Sequence, residues 1–317
     1  MYYLGIDLGG TNIAAAVVNE KYEIVGKASL KTNCPRPAEE IAEDMYKAGV
    51  LAIENSGLKL DDIAEVGVGS PGSVDHNTGF ICFANNLGFH NVPLGDMLEA
   101  KFGRRVFLEN DANAAAYGEL LAGAGRGAKQ FVAITLGTGV GGGVIVNGQI
   151  ISGMNYAGGE LGHIVIVKDG EPCSCGRNGC WESYASATAL IRQTKAAMEL
   201  DKNSKMWEVS DNGQHISGRT AFDAMRLGDE TATKVVKEFC DYVACGLTNI
   251  INIFQPEVAC IGGGISKEGE TLVAPIRDYI NREVYSKNSD KQTVIKAAEL
   301  GNNAGIIGAA FLGNLYR

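Results

Sequence analysis

Short apolar runs rich in β-branched residues occur at 2–8, 13–18, 24–30, 63–68, 105–108, 134–136, 144–146 and 258–261, and each predicts a strand. The first two are joined by Asp7-Leu8-Gly9-Gly10-Thr11-Asn12, and the pair at 134–146 by a loop running from Leu136 through Gly137-Thr138-Gly139 to Gly143. Both read as hairpins turned by glycines. Helical periodicity runs over 37–55, with Pro37 where a first turn tolerates it. It returns over 184–198, 220–226, 231–254 and from 304 to about 315. Pro256 stops the long helix at 254, and residues 201–219 read as a polar connection. The strand at 258–261 leads into a third glycine turn, Gly262-Gly263-Gly264-Ile265-Ser266. Strands alternating with helices make this an α/β chain.

A length of 317 residues gives room for two domains, each with its own core. The net charge of -9, from 37 acidic and 28 basic side chains with no long basic run, argues against nucleic acid as a partner. The opening residues carry Asp7 almost at once, so no targeting signal is expected, and no apolar stretch is long enough to span a bilayer. Eight cysteines outside any secretory context point to the cytoplasm. Cys34, Cys82, Cys240, Cys245 and Cys260 sit in apolar settings and are expected to be buried thiols.

The chemistry gathers between 134 and 184. The run Cys173-Ser174-Cys175-Gly176-Arg177-Asn178-Gly179-Cys180-Trp181-Glu182 spaces three thiols as C-x-C-x4-C, and His163 stands ten residues before the first. Three thiolates and an imidazole are the donor set of a closed tetrahedral site. The spacing predicts structural Zn2+ on His163, Cys173, Cys175 and Cys180, with ordinary thiols or a disulfide as the bland alternative. Such a metal would pin the loop that carries Glu160, His163 and Glu182.

The two hairpin loops suit a polyphosphate. Glycines let the backbone approach it, Thr11 can donate a hydrogen bond to a phosphate oxygen, and Asp7 can hold Mg2+ or its water shell. Taken alone, the first loop could be a plain tight turn. The third glycine turn could let a base or ribose lie against backbone, or be an ordinary strand-to-helix connection. Segment 84–89 could offer amides to a polar ligand or be a surface loop. In Glu109-Asn110-Asp111-Ala112-Asn113, either Asn110 or Asp111 could cap the alanine-rich helix that follows. A carboxylate at the carboxyl end of a strand can instead take a proton from a substrate hydroxyl.

Together these motifs resemble the ROK family of sugar kinases, repressors and related proteins, within the actin-like ATPase superfamily. The resemblance covers essentially the whole chain and rests on Asp7–Thr11, Glu109–Asn113, the Leu136–Gly143 loop, Glu160-Leu161-Gly162-His163 and the Cys173–Glu182 box. It implies an actin-like ATPase (ribonuclease H-like) fold with two α/β domains around a cleft, one at 1–117 plus 303–317 and a larger one at 118–302 holding the zinc site. It implies ATP-dependent phosphorylation of a hexose, glucose ahead of N-acetylmannosamine, N-acetylglucosamine or fructose, with a non-catalytic sugar sensor as the other outcome. Asp111 matches the family's base. Asn110, Glu160, His163 and Glu182 match sugar-binding residues, with Gly72 and Asn86 in segments lining the same pocket. Gly9, Gly10, Thr11, Asn12, Gly137, Thr138 and Gly139 fall on the phosphate loops, and Gly263 and Gly264 on the nucleoside loop. His163 would serve both metal and sugar. Many members carry lysine where this chain has Asn12, which takes a positive charge from that loop. A family repressor would need a DNA-binding segment before the first strand, which starts at Tyr2, so an enzyme is expected, and the family suggests a homodimer. The physics agrees: phosphoryl transfer asks a protein chiefly for positioning and charge stabilisation.

Overall fold

The structure, a computed structural model, describes residues 1–317. Strands β1 (Tyr2–Leu8), β2 (Asn12–Asn19) and β3 (Ile24–Lys31) form an antiparallel meander. Strands β4 (Ile63–Ser70) and β8 (Val106–Asn110) extend it in parallel, giving the order β3-β2-β1-β4-β8. This is the arrangement of the ribonuclease H-like sheet. Parallel pairing sets Asp7 opposite Gly69 and Gly69 opposite Glu109, so the first glycine loop and the Glu109–Asn113 segment both leave the sheet at the carboxyl ends of its parallel strands. Helix α1 (Ala38–Asn55) buries Ile41, Met45, Ala48 and Ala52 on the sheet, at a stride of three to four residues.

Between β4 and β8 lie features that the hydrophobic pattern did not reveal. Strands β5 (Ser73–Asp75), β6 (Phe80–Ala84) and β7 (Phe89–Val92) form a small antiparallel sheet, followed by helix α2 (Leu94–Phe102). Strands of three to five residues are too short for their alternation to stand out.

Helix α3 (Asp111–Ala122) and helix α10 (Ala304–Ala310) cross with almost no side chain between them. A methyl group on Gly118 would sit 2.1 Å from the Ala304 carbonyl oxygen, and one on Gly308 1.7 Å from that of Ala114. The other side of α10 lies on the sheet backbone in the same way, at Gly5 and Gly67. The helix expected from 304 to about 315 breaks at Phe311 and resumes as α11 (Gly313–Tyr316).

The second sheet repeats the first topology in the order β11-β10-β9-β12-β13, from β9 (Phe131–Leu136), β10 (Val140–Val146), β11 (Gln149–Ile150), β12 (Val258–Gly262) and β13 (Val294–Ala297). Its helices are α4 (Glu182–Ala185), α5 (Ala187–Leu200), α6 (Met206–Val209), α7 (Thr220–Arg226), α8 (Glu230–Phe254) and α9 (Glu270–Glu283). Helix α6 interrupts the expected polar connection. Helix α9 escaped the pattern because Pro275 lies inside it, where proline normally argues against a helix. Helix α8 presents Val235, Phe239, Val243, Leu247 and Ile251 along one buried stripe.

Two compact units result: residues 1–133, 143–159 and 299–317, and residues 134–142 and 160–298. The boundary expected at 117/118 therefore moves. Helix α3 runs through it without a break, and beyond it buried Glu119 accepts the amides of Ala124, Glu299 and Leu300 at 2.9, 3.1 and 2.8 Å. Those bonds hold 124 and 299–300 in the first unit. None of the eight cysteines is in a disulfide. Cys240 and Cys260 are buried as expected, whereas Cys34, Cys82 and Cys245 are only half-buried. No helix is long and apolar enough to cross a membrane.

Gly308→Ala should cost about 1–3 kcal/mol, because the added methyl meets backbone that cannot rotate away. Urea denaturation with an unchanged m-value measures it, and a loss below about 0.5 kcal/mol would mean that α3 and α10 separate easily.

Candidate active site and nucleotide-binding loops

In the first unit the end of β1 delivers Asp7, and the turn after it is closed by a Gly9 amide to Asn12 carbonyl bond of 2.9 Å. Thr32 fastens this loop from β3's end, its hydroxyl donating to the Gly9 carbonyl at 2.6 Å and its amide to Thr11 at 3.0 Å. Asn12 pairs with Lys31 across the β2–β3 register, and the Lys31 ammonium donates to the Asn12 side-chain oxygen at 2.9 Å. The loop thus has a cation beside it after all, supplied from the neighbouring strand. Hairpin register was the signal for Lys31, but register is fixed by the folded sheet and not by the local motif.

Asn110, rather than Asp111, caps α3: its Oδ1 accepts the amides of Ala112 and Asn113 at 2.9 and 3.1 Å. Its Nδ2 donates to the Gly72 carbonyl at 3.1 Å, which joins two of the predicted pocket residues. Gly72 has φ +92°, and a methyl group there would meet the Phe83 carbonyl oxygen at 2.0 Å. Asn86, in a short turn at Asn85–Leu87, stands beside Gly10, 3.8 Å from the place of an added methyl. Asp111 is the first residue of α3, with Oδ1 accepting the Ala112 amide at 2.8 Å.

Burial pushes the Asp111 carboxyl above its ordinary range, opposed by the amides at the helix start and by Asn110. Burial also raises Asp7, as does the Asp111 charge, against the pull of Lys27, to about 6. The two carboxylates are close enough to repel. Such a pair favours a cation between or beside its members.

In the second unit the loop Gly137–Gly139 is clasped on four points. Ala187 donates its amide to the Gly137 carbonyl at 2.8 Å, and the Thr188 hydroxyl donates to Thr138 at 2.8 Å. Within the loop the Gly137 amide reaches the Gly139 carbonyl at 3.0 Å. Glu182 Oε2 accepts the Val140 amide at 3.0 Å, and any side chain on Gly139 would collide with that oxygen at 2.2 Å. The third glycine turn passes β9 with Gly263 at φ +88°, where a methyl would lie 2.3 Å from the Leu136 carbonyl oxygen. Residues 136–138 and Gly264, Ile265, Lys267 and Glu268 line one cavity of about 500 Å³ together with Ala187, Gly218, Arg219 and Arg226. The hairpin and the predicted nucleoside turn therefore meet at one hollow. Arg219, Arg226 and Lys267 were not singled out in the sequence, since isolated basic residues on a polar stretch carry no spacing signal.

The thiol box folds around its glycines. Gly176 and Gly179 take φ of 87° and 81°, and the Cys173 amide and carbonyl close turns onto Arg177 and Gly176. The ligand atoms of His163, Cys173, Cys175 and Cys180 lie within 4.8 Å of one another, with Cys175 and Cys180 sulfurs 3.6 Å apart and Cys173 sulfur 3.6 Å from His163 Nδ1. A tetrahedral site with Zn–S bonds near 2.3 Å needs edges of about 3.8 Å, so donor chemistry and spacing fit such a cation. Burial raises the Cys173 thiol, but the Cys175 amide, the two other thiols and His163 outweigh it and bring it down to about 7. His163 Nε2 faces Glu160 at 4.0 Å on its other side. The box is anchored by Trp181, which is fully buried, packs its ring on Gly246 of α8, and donates to the Tyr242 carbonyl at 2.8 Å.

Comparison with known proteins extends these observations along the chain. The ROK family pattern matches residues 3–314. A glucokinase of Thermotoga maritima is 38% identical over 311 residues, 97% of this chain and 95% of its own length. One from Halalkalibacterium halodurans is 37% identical over 312 residues, covering 98% and 94%. Among solved structures, a ROK family glucokinase from Streptomyces griseus in complex with glucose and AMPPNP superposes with a TM-score of 0.82 at 37% identity, covering 98% of this chain and 99% of that one. With a match that runs through both glycine hairpins, the Glu109–Asn113 segment and the thiol box, this chain belongs to the ROK family.

Proposed function

We propose that the chain is an ATP-dependent hexose kinase that converts glucose to glucose 6-phosphate. The observation that carries this reading is the Asp7–Asp111 carboxylate pair at the carboxyl ends of the parallel strands, in a chain that matches glucokinases over nearly its full length. Asp111 takes the proton from the sugar hydroxyl that attacks the γ-phosphate, with its carboxylate oriented by the Ala112 amide. Asn110, Glu160, His163 and Glu182 contribute hydrogen bonds to the sugar, and Gly72 and Asn86 lie in segments that line its pocket. Asn110 is already anchored through both ends of its amide, and Glu182 through Oε2, so each presents its group in a fixed orientation.

Gly9, Gly10, Thr11 and Gly137–Gly139 receive the ATP phosphates, and Gly263 and Gly264 the nucleoside. Asn12 acts by holding the Lys31 ammonium at the first loop. Asp7 holds Mg2+ or its water shell, and the bound ion supplies neutralising charge to the phosphates. His163, Cys173, Cys175 and Cys180 hold zinc, whose role when bound is to fix the loop that carries the sugar contacts. Eight cysteines outside any disulfide suit a cytoplasmic setting, and the reading includes a homodimer.

A coupled assay of ADP release with ATP and magnesium, run on glucose, mannose, fructose, N-acetylglucosamine and N-acetylmannosamine, should give the highest kcat/KM for glucose. Asp111→Asn should lower kcat by about two to four powers of ten with glucose binding retained. Preference for an N-acetyl sugar would move the substrate, and no sugar-stimulated release would leave a sensor.

Elemental analysis should find zinc bound to the parent chain, and Cys175→Ser should lose it and most of the activity with it. A zinc-free variant of normal turnover would separate the metal from the sugar site.

Asp7 should cost stability. Its folded value near 6 lies above the ordinary 3.8, so the native state binds this proton more tightly than the unfolded state does. The cost of keeping it ionised is small near pH 4, grows up to about pH 6 and is full above that. Asp7→Asn should therefore stabilise the ligand-free chain by about 1–3 kcal/mol at pH 8 and far less near pH 4, while abolishing turnover. Equal gains in urea denaturation at both pH values would contradict this.

A further inference from the structure

The Glu109 side chain, between β8 and the first turn of α3, is 1% exposed and has no route to a substrate. A carboxylate this deeply buried must be compensated by donors. Four converge on it from three segments. Oε1 accepts the Asn110 amide at 2.7 Å and the Asn113 side-chain amide at 3.0 Å. Oε2 accepts the Tyr316 phenol in a short hydrogen bond and the Ser152 hydroxyl at 3.3 Å. Tyr316 cannot swing freely, since its ring stacks on His76 with centroids 4.2 Å apart and planes within 8°. His76 in turn meets the Tyr156 ring edge-on at 5.4 Å.

The two groups on Oε1 bracket Asp111. Asn110 precedes it and caps its helix, and Asn113 lies two residues on in the same turn. Turning or removing Glu109 would therefore shift the residue that aims Asp111, without touching the sugar.

We propose that Glu109 is the positioning residue for Asp111, and that the Tyr316 phenol and the Ser152 hydroxyl hold it in the required orientation. The network transmits order from α11 and from the segment after β11 to the first turn of α3. Burial and the Glu109 charge both push the Tyr316 phenol up, which keeps it a donor at working pH. This inference rests on the reading of Asp111 as the base.

The test compares Tyr316→Phe, which keeps the stacked ring, with Glu109→Gln, which can still accept from Asn110 and Asn113 and donate to the two hydroxyls. Ser152→Ala removes the second donor and serves where Tyr316→Phe does not fold. Tyr316→Phe should lower kcat about tenfold, with glucose affinity by calorimetry unchanged within about twofold. Ser152→Ala should act in the same direction by about threefold, and Glu109→Gln should keep kcat within about threefold of the parent. A purely structural role would lower the unfolding temperature and leave kcat alone. If the parent is active and Asp111→Asn is not, while Tyr316→Phe and Ser152→Ala both retain full kcat, the positioning network is refuted and the base stands. If the parent itself releases no ADP with any sugar, the kinase reading fails first.

Discussion

A single side-chain oxygen, Oδ1 of Asn110, accepts the amides of Ala112 and Asn113 and so closes the open end of α3. A helix start leaves several amides without partners, and the segment that satisfies them sets where the first helical residue points. Here that residue is Asp111. The cap is itself held from outside, by the Gly72 carbonyl on its amide nitrogen and by Glu109 on its backbone N–H. The small sheet at Ser73–Val92 lies where the turns beside its strands supply Gly72 and Asn86, and it is fixed there by Val74, Ile81, Ala84 and Phe89, which it buries in the core. The crossing of α3 on α10 fixes the other end of the same helix, through glycines that let the two backbones touch.

The second unit solves a similar problem with a different device. Its glycine loop would be free to move, because glycines cost the most entropy to order. Glu182, Ala187 and Thr188 hold it at Val140, Gly137 and Thr138. Glu182 also reaches back to the thiol box, with Oε1 lying 3.4 Å from the Ser174 hydroxyl. Trp181, one residue before it, ties the box to α8. Order therefore passes from the long helix to the box and on to the loop through the adjacent residues Trp181 and Glu182.

Function works against stability at the Asp7–Asp111 pair. Burial raises both carboxylates and the Asp111 charge raises Asp7 further, which is unfavourable in the ligand-free protein; in the proposed kinase a cation and a phosphate chain would neutralise them. Lys31 on Asn12 follows the same logic, bringing positive charge to a loop whose own sequence lacks it.

Much of this was legible in residue order. Both glycine hairpins, the C-x-C-x4-C box with His163, and the Glu109–Asn113 segment announce themselves because each motif is local: its chemistry lies within a few residues and its spacing survives any fold. The long apolar stripes of α1 and α8 are visible for the same reason. The chain order could not say that Asn110 caps while Asp111 stays available, that Glu182 faces the Val140 amide, or that the unit boundary passes beyond α3. Nor could it join Lys31 to Asn12 or Tyr316 to Glu109, 207 residues apart. Sequence alone determined which chemical groups the protein owns and the short-range turns that present them. Tertiary structure decided which of those groups face one another, because strand register, helix crossing and burial depend on contacts between segments far apart in the chain, and local pattern carries no information about them.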